Sequence, residues 1–96
     1  MQYNFQWDPR KAKSNAKKHG VSFEQAAEVF LDALQLAVFD DEHSETEERW
    51  VTLGKTRNGT LLVVVHTFAE HQDSATVRII SAREATKHEQ RQYEER

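Results

Sequence analysis

The chain has 96 residues, of which 38% are hydrophobic and 30% are charged, and it contains no cysteine. This length leaves room for one domain, and the composition is that of a globular protein rather than of a disordered tail or a membrane protein. The absence of cysteine excludes disulfides, zinc ribbons and thiol enzymes. With no long apolar run and no apolar leader, we expect a cytoplasmic protein that does not bind membranes.

The net charge of −3 hides a segregation of charge along the sequence. Residues 1–23 carry five lysines and arginines against Asp8, whereas residues 24–49 carry nine acidic residues against Arg49 alone. This asymmetry is compatible with a basic surface for phosphates or for an acidic partner. Two ordinary solvated faces would explain it equally well.

The N-terminal part predicts a short strand over residues 3–7 followed by two helices. Asp8 is a good N-cap, Pro9 suits the first helical position, and Gly20 is typical of a helix end. A capping box that begins at Ser22 starts the second helix, whose apolar positions at spacings of three and four predict a core-facing side.

The second half of the sequence predicts four antiparallel strands and a last helix. The dipeptide Asn58-Gly59 favours a type I′ turn and therefore a tight hairpin. A capping box at Ser81 predicts the start of the last helix, which has few apolar residues and should be held loosely. The fold class is therefore α+β. The four strands are predicted at residues 34–39, 50–53, 61–68 and 76–80.

Three stretches, in this order, resemble the BrnT toxins: WDPRKAKSNAKKHG, HSETEER and VRIISAREATKHE. The resemblance covers nearly the whole chain and implies one RelE-like compact domain over residues 1–96. It also implies a toxin of a type II toxin-antitoxin system that acts as an endoribonuclease. Its partner would be a BrnA-like antitoxin with a ribbon-helix-helix domain, and operator DNA would be reached only through that antitoxin. Two departures are Thr60, where many relatives have arginine, and Ala33 after Asp32 in place of proline.

Cleavage of RNA without a metal requires a proton acceptor, cations that stabilise the phosphorane, and an acid for the leaving oxygen. We expect His66 to be the acid-base candidate, and Arg78 and Arg83 to grip phosphate through their several N–H donors. Glu48 is an orienting carboxylate in this hypothesis. The alternatives are a packed structural histidine and a structural salt bridge from Arg78 to a glutamate of residues 45–48.

Further RNA-binding candidates are Lys17, Lys18 and His19 at the end of the first helix, together with Arg49. The three helix residues could equally be surface groups that complement the helix dipole. The five histidines lack the i, i+4 spacing of helical metal ligands, so we expect no metal and no cofactor. A rival hypothesis is a non-catalytic module that assembles with a DNA-binding partner for transcriptional autoregulation.

Overall fold

The computed structural model describes residues 2–96. Short 3-10 turns at Val29–Leu31 and Asp41–His43 supplement its helices and strands. In chain order these are β1 (Gln2–Gln6), α1 (Pro9–His19), α2 (Phe23–Glu28), β2 (Leu36–Phe39), β3 (Arg49–Lys55), β4 (Leu61–Thr67), β5 (Ala69–His71), β6 (Ser74–Glu84) and α3 (Lys87–Glu94). The predicted α+β class is confirmed.

The sheet of the described chain has six strands in the order β1-β6-β4-β3-β2, and β5 also pairs with β6. The predicted four-stranded antiparallel sheet was therefore wrong, because β1 joins the sheet parallel to β6 and a separate β5 forms. The physical reason is the length of β6. Its eleven residues offer one edge to β1 and the other edge to β5 and β4 in succession.

Local signals at the first two helices are confirmed. The Asp8 carboxylate accepts a hydrogen bond of 2.8 Å from the backbone N–H of Arg10, and α1 ends where Gly20 adopts a left-handed conformation with φ of 69°. Ser22 and Gln25 form the predicted capping box through two hydrogen bonds of 3.0 Å. None of the helices in residues 2–96 is long and apolar enough to cross a membrane.

Helices cover both faces of the sheet, which explains why β4 is apolar on both of its sides. Helices α1 and α2 cover one face, where Phe23 of α2 and Val29 of the following 3-10 turn share a core cluster with Leu62 and Val64 of β4. The short helix α3 covers part of the other face through Tyr93. We refer to these as the α1–α2 face and the α3 face.

The hairpin between β3 and β4 is confirmed, but its predicted turn type was wrong. Thr56 N–H donates to the carbonyl of Thr60 over 2.9 Å, so three residues form the loop instead of two. Within this loop only Gly59 has a positive φ, 86°, whereas a type I′ turn would also require one at Asn58. The loop is thus a wider one in which glycine takes the left-handed position.

The predicted start of the last helix at Ser81 was also wrong. Residues 81–84 continue β6, because Ser81 and Ala82 pair with Val65 and Val64 of β4. The helix α3 begins after Thr86, which forms a second capping box with Glu89. The capping-box pattern therefore occurs twice in this segment, at Ser81 and at Thr86. Strand pairing of the first determines that the helix begins at the second.

Candidate functional site

Three arginines from two strands lie on the α3 face of the sheet. Arg83 is the register partner of Val63, which packs under α3. Arg78 alternates with Val77 and Ile79, whose side chains are buried on the opposite face. Side chains alternate along β3 as well, and Arg49 therefore shares the α3 face with Leu53. We call Arg49, Arg78 and Arg83 the arginine face.

An exposed carboxylate pairs with the first arginine of β6. Arg78 donates from Nη2 to Glu47 Oε1, so the structural salt bridge considered for this arginine exists. Glu48, the carboxylate proposed from sequence, instead accepts a 3.2 Å hydrogen bond from the indole N–H of Trp50. The sequence alone did not distinguish Glu47 from its neighbour.

Arg83 is held in a fixed orientation by α3. Its guanidinium donates two hydrogen bonds, of 2.8 and 2.9 Å, to the two carboxylate oxygens of Glu89. These bonds lower the pKa of Glu89 to about 2 and raise the pKa of Arg83. The prediction that Arg83 begins a helix was wrong, since it lies near the end of β6. Glu89 was not among the residues proposed from sequence.

His66 lies on the α1–α2 face, and the structure does not bring it to the arginine face. The residue is 2% exposed, and its ring packs edge-on against Phe30 with 4.8 Å between centroids. Nε2 lies 2.7 Å from Thr52 Oγ1, and Nδ1 lies 2.9 Å from the carbonyl oxygen of Thr67. Burial lowers the pKa of His66, which favours the neutral ring. This geometry is that of a packed, fully hydrogen-bonded histidine.

A connection nevertheless runs from His66 to the arginine face through Thr67. Thr67 Oγ1 accepts a 3.3 Å hydrogen bond from the backbone N–H of Arg78, and Thr67 is also the register partner of Arg49. The histidine therefore helps to fix the backbone that carries two of the three arginines.

A second cationic surface lies between α1 and β6. A groove of about 280 Å³ is bordered by Lys18 and His19, which were predicted from sequence, and by Arg10 and Lys11, which were not. Lys17 is exposed on α1 but does not border the groove. None of these cations forms an ion pair within residues 2–96. The i, i+3 and i, i+4 spacing of Lys11, Ser14 and Lys18 was the available sequence signal.

The floor of this groove is fixed by Asn15, which is buried and hydrogen-bonded to Ala82 of β6. Ser14 and Ser81 add hydroxyl groups to the groove wall. Hydroxyl, guanidinium and ammonium donors together suit a phosphate. Across residues 2–96, no three His, Asp or Glu side chains are grouped as metal ligands.

The fold and the surface define a small α+β protein with two exposed cationic sites. One is the arginine face of the sheet, and the other is the groove beside α1. A family model described as "Ribonuclease toxin, BrnT, of type II toxin-antitoxin system" matches residues 7–89. The chain therefore belongs to the BrnT family of ribonuclease toxins, as the resemblance implied.

The fold is similar to that of the Brucella abortus ribonuclease toxin BrnT, known from a crystal structure. The two chains are 22% identical, the match covers 91% of this chain and 100% of that one, and the TM-score is 0.61. This likeness shows a shared fold. No curated protein matches the sequence.

Proposed function

We propose that the protein is a metal-independent endoribonuclease of RelE-like type that cleaves RNA in the cytoplasm and inhibits growth. A DNA-binding antitoxin with a ribbon-helix-helix domain would silence it, and operator DNA would be contacted only through that antitoxin. The observation that carries the proposal is the arginine face, on which Arg78 and Arg83 are each oriented by a carboxylate. Oriented guanidinium groups bind phosphate through paired N–H donors.

In this proposal Arg78 and Arg83 stabilise the negative charge that develops on the phosphorane. Loss of one such donor typically lowers a rate by about 100- to 1,000-fold. Arg49, on the same face at the start of β3, holds a neighbouring phosphate. The RNA displaces Glu47 from Arg78, since that glutamate is half exposed. The released carboxylate then accepts the proton of the ribose 2′-hydroxyl, and water protonates the leaving 5′-oxygen.

His66 acts here as a positioning residue rather than as the proton acceptor. Its ring holds Thr67, and through Thr67 the backbone of Arg78. Glu48 orients Trp50 in the same strand. Loss of His66 would then lower kcat with little change in KM, because the arginines would be displaced from the transition state while RNA binding elsewhere persists.

The groove along α1 supplies affinity. Lys18, His19, Arg10 and Lys11 hold RNA phosphates outside the cleavage site, and Lys17 adds to the positive field of the helix. Contacts of this kind position RNA without reading its bases.

The test is cleavage of a defined RNA by the purified chain in EDTA, with Arg78→Ala, Arg83→Ala and the matched control Arg57→Ala. Arg57 is exposed in the β3–β4 loop, away from the arginine face. We expect cleavage in EDTA, a loss of about 100-fold in the two β6 variants, and none in the control. Cleavage that stops in EDTA and returns with a divalent ion would contradict metal independence.

A second candidate function is a non-catalytic module that assembles with a DNA-binding partner. The burial of His66, with both ring nitrogens hydrogen-bonded, favours it, because this histidine is then not free to accept the proton of the ribose 2′-hydroxyl. A folded chain that cleaves no RNA, yet enhances operator binding by the antitoxin, would establish this function instead.

A further inference from the structure

Large hydrophobic side chains are exposed in one short part of the described chain. They are Leu31, Leu34, Val38 and Phe39, with exposures of 66%, 64%, 59% and 39%. The last two belong to β2, in which three of four residues are exposed. A small domain that leaves an apolar strand in water carries an interaction site or an aggregation risk.

The strand β2 is an open edge of the sheet. It ends the strand order and pairs only with β3 among residues 2–96. The backbone N–H of Asp40 donates to the carbonyl of Arg49 over 2.8 Å, so Asp40 is hydrogen-bonded to β3. In an antiparallel pair every second residue is hydrogen-bonded to the neighbouring strand. Val38, two residues before Asp40, is therefore also hydrogen-bonded to β3. Ala37 and Phe39 therefore direct their N–H and C=O groups outward.

Recesses lie on both faces of the sheet beside this edge. On the α1–α2 face, a cavity of about 180 Å³ next to Ala37 is lined by the rings of Tyr3, Phe30, Trp50 and Phe68. On the α3 face, a smaller recess of about 80 Å³ is lined mainly by aliphatic side chains, among them Leu36 and Val38, with Glu89 and Gln92 of α3 at its side. A strand added to β2 would place its alternating side chains over these two recesses.

The chain that follows β2 is strongly acidic. Residues 40–48 contain six aspartates and glutamates and no lysine or arginine. Asp41, Glu42 and Glu45 are exposed and form no ion pair within the described residues. This field repels RNA and attracts a basic segment. The edge therefore differs in sign from the arginine face and from the α1 groove.

We propose that the open edge of β2 receives an extended segment of the antitoxin, with apolar residues in alternation and lysine or arginine beside Asp41 and Glu42. Main-chain hydrogen bonds to Ala37 and Phe39 and apolar side chains over the aromatic cavity hold the segment. The proposal rests on the proposed function only in taking the partner to be an antitoxin. It does not require that the chain cleave RNA.

The test measures the affinity of the purified full-length chain for the antitoxin, identified as the product of an adjacent reading frame with a ribbon-helix-helix pattern. Ala37→Pro removes an outward N–H and adds a ring to the edge, while the β2–β3 ladder stays intact. We expect a loss of at least tenfold in affinity. Leu31→Lys is the control, because Leu31 is exposed but lies outside β2 and borders a separate recess with Glu28 and Lys55. We expect it to bind as the parent does.

Two further measurements keep the proposal testable if Ala37→Pro does not fold. The double variant Asp41→Lys, Glu42→Lys should weaken the complex at low salt and flatten its salt dependence. Amide-resolved hydrogen exchange should show fast exchange at Ala37 and Phe39 in the free chain and protection at both in the complex.

Unchanged affinity in Ala37→Pro, or no new protection at these two amides, would overturn the proposal. Tighter binding after charge reversal would also overturn it, because the segment would then be acidic. If the β2 variants bind RNA more weakly but still bind the antitoxin, the occupant of the edge is RNA. If gel filtration shows self-association through β2, the occupant is a second copy of the chain. RNA cleavage by every variant is measured separately, so failure of the proposed ribonuclease activity remains distinguishable.

Discussion

The side chain of Asn15 pairs with the backbone of Ala82, donating to its carbonyl over 2.8 Å and accepting from its N–H over 3.1 Å. The pairing of β1 with β6 ends at Arg78, so beyond this point the edge of β6 lacks a neighbouring strand on that side. Asn15 takes the place of that strand. Its amide also donates to the carbonyl of Val21 over 3.0 Å, which ties the end of α1 to the sheet.

Replacement of Asn15 by alanine should therefore destabilise the fold by about 2 to 4 kcal/mol, because buried backbone groups lose their partners. Urea unfolding followed by circular dichroism measures this free energy. Ser14→Ala, an exposed neighbour on the same helix, is the control and should stay within about 0.5 kcal/mol of the parent. A loss below 1 kcal/mol for Asn15→Ala would mean that water replaces the amide.

The lowered pKa of His66 predicts loss of stability in mild acid. The unfolded chain binds a proton at the ordinary pKa of 6.5, and the folded chain binds it only at lower pH because the ring is buried. The stabilisation from neutral His66 is complete above pH 6.5 and decreases as the pH falls through the folded pKa.

Unfolding free energies at several pH values between about 7.5 and 5 test this dependence, with His66→Gln as the comparison. The variant should be less stable at pH 7.5 and should show a flatter pH dependence. The ordinary pKa values of Asp32 and Glu89 lie at 3.8 and 4.5, so these carboxyls change the pH dependence of the unfolding free energy only below this window. Parallel curves for parent and variant would refute the role assigned to His66 burial.

The pair of Arg83 and Glu89 should contribute about 1 kcal/mol to stability, because both side chains are partly exposed and screened by water. A double-mutant cycle with Arg83→Ala and Glu89→Gln measures the coupling energy. Since the folded pKa of Glu89 is lowered to about 2, the coupling is present above pH 4.5 and disappears as the pH falls through 2. An equal coupling at pH 7 and pH 2 would exclude a charged pair.

Tyr93 is the buried anchor of α3, and its hydroxyl donates to Asp32 Oδ2 over 2.5 Å. Tyr93→Phe should cost about 1 kcal/mol, because Asp32 keeps its backbone donors Lys55 and Leu34. Tyr93→Ala should cost about 3 kcal/mol or more and speed hydrogen exchange throughout α3. In the parent, we expect α3 to exchange faster than β4. Equal protection of both elements would contradict the loose attachment expected from sequence.

The groove on α1 predicts a change in salt dependence. Lys11→Ala and Lys18→Ala should each weaken RNA binding and reduce the slope of log affinity against log salt by about 0.7 to 1. Lys13→Ala is the matched control, since Lys13 lies on the same helix but does not border the groove. Fluorescence anisotropy with a single-stranded RNA measures all three variants. The same slope in every variant would place the RNA elsewhere.

Signals that depend on adjacent residues were readable from the sequence. The cap at Asp8, the stop at Gly20 and the capping box at Ser22 involve atoms a few residues apart, so the chain determines them without knowing its fold. The unbroken apolar run of residues 61–65 is likewise typical of a strand covered on both sides, and the structure covers β4 on both. The family followed from motifs spread along the chain, and the family match confirms it.

Choices between equivalent local patterns were decided by tertiary structure. Two capping-box patterns, at Ser81 and Thr86, could each start α3. Residues 81–84 pair with β4, so their backbone hydrogen bonds are made within the sheet and the helix begins after Thr86. The parallel addition of β1 to β6 could not be predicted either, because it joins segments about 70 residues apart, such as Phe5 and Val77.

The placement of the candidate site depended on tertiary structure most of all. The sequence supplied His66, Arg78 and Arg83 as chemically suitable groups, but the face that each occupies depends on strand register. The register between β4 and β6 shifts at Val65 and His66. Because side chains alternate with a period of two, pairing fixes which of them meet. Strand pairing places His66 against Phe30 and leaves the arginines on the opposite face. There they meet the carboxylates of Glu47 and Glu89, which come near them only in the folded chain.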